Sequence, residues 1–194
     1  MKRYNVAIFI FDDVEVLDFA GPYEVFAVTD ELHDHSMFNV YTVAEKDSAV
    51  VAKNNLSVNP TYVLGDSPAA DILVIPGGSG TRPLLENGMV INWIKQSARS
   101  AKLVLSVCTG SLLLAKAGLL DGLRATTHHT ALETLSALAP QTEILDGTRF
   151  VDNGTVVTSA GVSTGIDMCL HVVEKTAGLD AARMAAANME YVRR

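Results

Sequence analysis

The sequence predicts an α/β domain with a mainly parallel central sheet covered on both faces. Residues 6–11, 71–76 and 102–107 are dominated by Val, Ile, Leu and Phe, as strands buried on both sides are. These runs alternate with segments of helical length and pattern. Each run also ends in small, polar or reactive residues. In an open parallel sheet such residues gather at one edge, where ligands bind.

The chain of 194 residues is 48% hydrophobic and 19% charged, enough for one domain, 1–194, with a substantial core. Its formal net charge of −7 argues against nucleic acid as a partner, because phosphate recognition needs a basic face. No apolar run reaches the length of a membrane span. Two cysteines, Cys108 and Cys169, make neither a disulfide framework nor a zinc set, and are expected as reduced thiols of a cytoplasmic protein.

Residues 6–11 read as the first strand. The basic start, Met1-Lys2-Arg3, imitates a signal peptide, but Asp12-Asp13 ends the apolar run too early. Residues 16–27 carry Leu17, Ala20, Val25 and Phe26 at helical spacing. Pro22 is expected in that helix's first turn, which would put Asp18 just ahead of it, in an N-cap-like position. Residues 38–43 alternate and read as a second strand. Residues 50–52 and 56–58 flank Lys53-Asn54-Asn55 as a hairpin. The third strand, 71–76, runs into Gly77-Gly78-Ser79-Gly80, which has neither the spacing nor the Lys of a phosphate loop.

A helix is expected over 92–101 and a strand over 102–107. Cys108 follows, then a helix over 111–117 that stops at Gly118. Another short strand precedes His128-His129, and a helix over 130–138 ends before Pro140. Residues 150–158 form a hairpin on Asn153-Gly154. A loop of small residues, 159–165, leads into helices over 166–176 and from about 181, with Asp167 expected to cap the first.

Cys108 therefore occupies a tight strand-to-helix turn, the nucleophile-elbow geometry with Cys in place of Ser. The adjoining helix N-terminus favours thiolate over thiol. The plainer reading is a small buried hydrophobe, which is the reading given to Cys169. Asp18, Gly77, Gly78, Cys108, His128, Ala160 and Gly161 all fall at the C-terminal edge of the predicted sheet.

Several stretches together resemble the ThiJ/PfpI superfamily, also called class I glutamine amidotransferase-like. They are Leu17-Asp18-Phe19-Ala20-Gly21-Pro22, Ile75-Pro76-Gly77-Gly78, Ser106-Val107-Cys108-Thr109-Gly110-Ser111, Ala117-Gly118-Leu119-Leu120-Asp121-Gly122, Arg124-Ala125-Thr126-Thr127-His128 and Thr164-Gly165-Ile166-Asp167. Within that superfamily the chain looks most like the isocyanide hydratase branch, and the same motifs occur in N-terminal domains of AraC-type regulators. The resemblance implies a flavodoxin-like three-layer sandwich, a homodimer, a small-molecule substrate and no metal or organic cofactor. It implies Cys108 as nucleophile, Asp18 as the carboxyl beside it, and Gly78 and Thr109 as backbone donors to a bound intermediate. Gly77, His128, Ala160 and Gly161 are implied as accessory positions.

Two departures shape the expectation. Thr109 stands where protease-like members carry His, which disfavours peptidase chemistry. The loop Ser159-Ala160-Gly161-Val162 is less glycine-rich than expected of the hydratase branch. The resemblance thus implies hydration of an isocyanide to an N-formamide through a Cys108 thioimidate. Its alternatives are a small-molecule-sensing domain or a glyoxalase-like carbonyl or redox stress protein. No basic recognition segment follows Thr176.

Overall fold

The computed structural model describes residues 3–193. Its centre is a seven-stranded sheet built from β1 (Tyr4–Phe9), β2 (Phe38–Ala44), β5 (Tyr62–Val63), β6 (Ile72–Ile75), β7 (Leu103–Val107), β10 (Phe150–Asp152) and β11 (Val156–Ser159). The order is β10-β11-β7-β6-β1-β2-β5. Every neighbour pair is parallel except β10 with β11, the hairpin on Asn153-Gly154. Two small sheets stand apart. One is the hairpin of β3 (Val50–Ala52) with β4 (Leu56–Val58), and the other pairs β8 (Arg124–Ala125) with β9 (Glu143–Ile144).

β6, β7 and β11 are buried along their whole length, as their apolar composition requires. Helices supply the covering layers. α1 (Val16–Glu31), α6 (Thr164–Ala177) and α7 (Leu179–Asn188) pack together. α4 (Gly110–Lys116) gathers α2 (Thr81–Leu84), α3 (Gly88–Ser100) and α5 (Leu132–Leu138). The result is the flavodoxin-like α/β sandwich. Core side chains such as Phe9, Leu73, Leu105, Leu112 and Met168 are fully withdrawn from water, and burial of this kind is the main favourable term in folding.

The chain leaves β1 toward β2 on one side and returns to β6 on the other. The switch point therefore lies between β1 and β6, with β7 next to β6. The loops after β1, β6, β7 and β11 all open at this edge.

The sequence expectations differ from the fold in instructive places. Pro22 lies in the second turn of α1, not the first, and Asp18 sits in the first turn rather than ahead of it. Pro22 cannot donate to the Asp18 carbonyl, but Val25, Phe26 and Val28 bury the helix firmly enough to carry that loss. α3 begins at Gly88 because the Asn87 side chain caps the N–H groups of Met89 and Val90, at 3.1 and 3.2 Å. The stretch over 130–138 opens as a 3-10 turn, His129–Ala131, before α5. Asp167 does not cap α6. It is buried in the first turn and forms an ion pair with Arg149 on the hairpin side.

The turn after β7 tests how tightly this edge is built. A Cβ on Gly110 would overlap the Ile75 carbonyl oxygen and lie 2.8 Å from that of Pro76. Gly110→Ala is expected to cost at least about 3 kcal/mol in urea denaturation, because backbone must move. Gly118 has φ of 70° and open space around it. Gly118→Ala is expected to cost only about 1 kcal/mol, from the left-handed backbone alone. Equal losses would contradict the close approach of α4 to β6.

Candidate active site

Cys108 has φ of 54°, the left-handed region that a residue with a Cβ rarely adopts. Such a conformation costs on the order of 1–3 kcal/mol and persists only where neighbours fix it. Here they do. The Cys108 N–H donates to the Ser159 carbonyl at 3.0 Å, and its own carbonyl accepts from the hydroxyls of Ser111 at 3.1 Å and Thr127 at 2.9 Å. Only 6% of the residue is exposed. Gly161, at φ of 111°, presses its backbone against it. A Cβ there would meet Cys108 Cβ at 2.6 Å and Sγ at 3.1 Å. The neighbouring Ala160 N–H donates to the Arg149 carbonyl at 2.9 Å, tying this loop to the β10 hairpin.

Asp18 is fully buried. One oxygen, Oδ2, accepts the Gly77 N–H at 3.0 Å, while Oδ1 has no well-formed hydrogen bond. Burial raises this carboxyl to about 7, against a lowering by the Gly77 N–H and a further rise from the charge of Glu15. Cys108 is the thiol that interacts with it. The thiol eases ionisation of the carboxyl, and the carboxylate hinders ionisation of the thiol.

Burial works against the resting thiolate expected from the helix end. Burial pushes the Cys108 thiol up to about 12, with the Asp18 charge adding to the rise. The N–H and hydroxyl of Thr109 act the other way without offsetting it. α4 begins at Gly110, two residues after Cys108 with Thr109 as its N-cap, and is only seven residues long. Desolvation of an anion outweighs the partial charge of a helix end. At neutral pH the pair holds a thiol beside a carboxyl poised between its two protonation states.

Gly77 and Gly78 line the same corner, and neither N–H is idle. Gly77 binds Asp18, and the Gly78 N–H donates to Thr109 Oγ1 at 2.9 Å. The Thr109 N–H acts to lower the Cys108 thiol. His128 and His129 stack with ring centroids 4.2 Å apart. His128 Nδ1 is engaged by Thr130 Oγ1 at 2.8 Å, and burial together with His129 holds the ring below the ordinary histidine range. Both histidines line a cleft of about 420 Å³ together with Thr127, Arg149, Ala160 and Gly161. Cys108 lies behind Gly161 and does not itself line that cleft.

Sequence reasoning missed four residues that build the site. Ser111 and Thr127 hold the Cys108 carbonyl; Ser111 stands three residues on, a spacing that could have pointed to it. Glu15 and Lys53 form an ion pair at 2.7 Å, and both bear on the ionisation of Asp18. Their separation in the chain leaves no local signal. Among the described residues no three His, Cys, Asp or Glu side chains group as a metal would need, and no helix is long and apolar enough to cross a membrane.

The Asp18 carboxyl carries a pH signature. Its folded value stands above the ordinary 3.8, so its contribution to stability is intact below that value and is lost as pH rises through about 7. Asp18→Asn is expected to change stability little at pH 4 and to raise it by about 4 kcal/mol at pH 8.5, read by urea denaturation. A constant difference across that range would show an ordinary carboxyl.

Comparison with known proteins agrees with this architecture. The model of the DJ-1/PfpI family matches residues 4–175. Isonitrile hydratase of Pseudomonas putida is 35% identical over 191 residues, spanning 96% of this chain and 78% of that protein. The HTH-type transcriptional regulator GbdR of Pseudomonas aeruginosa is 24% identical over 189 residues; the chain spans 51% of its length. The crystal structure of a ThiJ/PfpI family protein from Pseudomonas syringae superimposes with a TM-score of 0.88 at 29% identity, over 98% of this chain and 76% of that one. The chain belongs to the DJ-1/PfpI family.

Proposed function

We propose that this protein hydrates an isocyanide to the corresponding N-formamide, with Cys108 as nucleophile and Asp18 as the proton carrier. The observation that carries the reading is the buried Asp18 carboxyl, raised to about 7 and interacting with the Cys108 thiol. Similarity to the Pseudomonas putida isonitrile hydratase supports the substrate class.

The protonation states suit this reaction. An isocyanide, R–N≡C, accepts both a nucleophile and a proton at its terminal carbon. Asp18, as carboxylate, takes the thiol proton while Sγ bonds to that carbon, then passes the same proton to it. The product is a neutral thioimidate, R–N=CH–S–Cys108. Because the thiol is the resting form, attack and proton transfer are coupled, and no free thiolate accumulates. Asp18 then takes a proton from water as the water oxygen adds to the same carbon, and passes it to the nitrogen, giving R–NH–CH(OH)–S–Cys108. The C–S bond breaks as Asp18 carries the hydroxyl proton to the sulfur; the formamide R–NH–CHO leaves, and thiol and carboxylate are both restored. A covalent nucleophile divides one difficult hydration into two easier steps. The Thr109 N–H beside the sulfur, and Gly78 N–H once released from Thr109 Oγ1, are the donors for charge developing on the added oxygen.

The protein is read here as a homodimer. Leu17 and Tyr23, exposed on α1 near Ala20-Gly21, give it an apolar face for a second copy. The GbdR likeness supports a second reading, a sensing domain that binds a small molecule at the same edge without turning it over.

Incubation with an aryl isocyanide and chromatographic detection of the formamide separates the two. Turnover is expected in the wild-type chain, falling about a thousandfold or more in Cys108→Ser and about a hundredfold or more in Asp18→Asn. Full turnover by either variant overturns the mechanism. Saturable binding with no formamide supports the sensing reading instead. Because the carboxylate is the working form of Asp18, kcat/KM is expected to rise between pH 5 and 8.5 with a midpoint near 7. A flat profile would remove Asp18 from the proton path.

A further inference from the structure

The stretch Thr164-Gly165-Ile166-Asp167 opens α6, and no step of the proposed chemistry uses it. Its four residues each meet a different part of the frame around the site. Gly165 lies against the end of β7: a Cβ there would meet Val107 Cγ1 at 2.9 Å and Cγ2 at 3.1 Å, and Val107 directly precedes Cys108. Ile166 lies against α1, with Cγ1 3.1 Å from the place of a Cβ on Gly21, three residues after Asp18. Asp167 pairs with Arg149. Thr164 is buried, and its hydroxyl reaches back out of the helix. Oγ1 accepts the Gly161 N–H at 2.6 Å and stands 3.3 Å from the Gly161 carbonyl oxygen.

Gly161 is the residue that stands between Cys108 and the cleft of His128 and His129. A Cβ on it would meet Cys108 Sγ at 3.1 Å, which leaves no room for water between that backbone and the sulfur. Gly161 has no side chain to pack, and the next two residues offer little: Val162 is half-buried and Ser163 is exposed. Hydrogen bonds must therefore hold the loop where packing does not. One precedes Gly161, from the Ala160 N–H to the Arg149 carbonyl at 2.9 Å. The other is on Gly161 itself, to Thr164 Oγ1. Ser163, the N-cap of α6, makes no side-chain cap bond and supplies no substitute.

We infer that Thr164 is a positioning residue: its hydroxyl holds the Gly161 backbone against the Cys108 sulfur and keeps water from that side of it. Without the hydroxyl, the Gly161 N–H takes water as its partner, and the sulfur opens toward the cleft. The inference adds to the reading of Cys108 as the reactive group, but it does not depend on what that group attacks.

The test is alkylation by iodoacetamide at pH 8, followed by the masses of the Cys108 and Cys169 peptides. Cys169 lies on α6 too and is wholly buried, so it reports any loosening of the fold at large. Thr164→Val keeps the shape and removes the hydroxyl; Thr164→Ser keeps the hydroxyl and removes the methyl. Thr164→Val is expected to speed alkylation of Cys108 about threefold to tenfold, the factor by which loss of one hydrogen bond shifts a local equilibrium, and to leave Cys169 unmodified. Thr164→Ser is expected to react at the wild-type rate. The inference is overturned if Cys108 of Thr164→Val reacts no faster than in the wild type, including the case in which neither is modified. It is also overturned if Cys169 becomes reactive together with Cys108, or if Thr164→Ser is accelerated as much as Thr164→Val, since both mark a packing role. None of these outcomes involves an isocyanide, so failure of the hydratase reading is seen separately, in formamide assays on the unmodified wild type.

Discussion

A carboxyl group and a thiol shut away from water together are the constraint that the rest of this site answers to. Water would let Asp18 ionise freely and would give Cys108 an ordinary thiol. Burial denies both, and it raises the two groups unequally, the carboxyl to about 7 and the thiol to about 12. One proton is thereby held on sulfur while its nearest acceptor is balanced between forms at physiological pH. A pair of titratable groups pushed to different values by their surroundings is the usual physical basis for dividing acid and base roles. The Gly77 N–H gives the carboxyl its main relief, with smaller help from the Cys108 thiol and Lys53, and one of its oxygens has no well-formed hydrogen bond.

The fold supplies the machinery that imposes this burial. β1, β6, β7 and β11 lie side by side, so the loops that follow them meet at one edge without long excursions. The first of these loops delivers Asp18 on the opening turn of α1; the second delivers Gly77 and Gly78; the third forces Cys108 into a left-handed backbone. The fourth brings Gly161 against the sulfur. Three hydrogen bonds to the Cys108 backbone, from elements on either side of it, hold a conformation the residue would not choose alone. The strain at Cys108 and the desolvation at Asp18 are both unfavourable locally. They are tolerated because a core of fully buried Leu, Ile, Val and Phe side chains stabilises the whole.

Much of this was legible in the sequence, for identifiable reasons. Continuous apolar runs marked β6 and β7, and Gly and Pro marked the loops, so the sheet edge that gathers Asp18, Gly77 and Cys108 could be anticipated. The two-residue Asn153-Gly154 turn announced the β10–β11 hairpin. What misled was reasoning from one rule where two compete. Pro22 was expected in a first turn by helix chemistry, whereas packing of α1 carries it in the second. Cys108 was expected as a thiolate from its place at a helix end, whereas burial of the sulfur pushes the other way. Asp167 has the position of a helix-start acid, yet its partner is Arg149, eighteen residues earlier. Glu15, Lys53 and Thr127 were invisible because their relation to the site exists only after the chain has folded.

The protonation of Asp18 is the point on which these features converge, and it can be read directly. The carboxyl carbon of Asp18, assigned by comparison with Asp18→Asn in 13C-labelled protein, should titrate in the NMR spectrum with a midpoint near 7, well above the surface aspartates. A midpoint near 4 would mean that water reaches the carboxyl and that no proton is exchanged between it and the Cys108 sulfur at neutral pH.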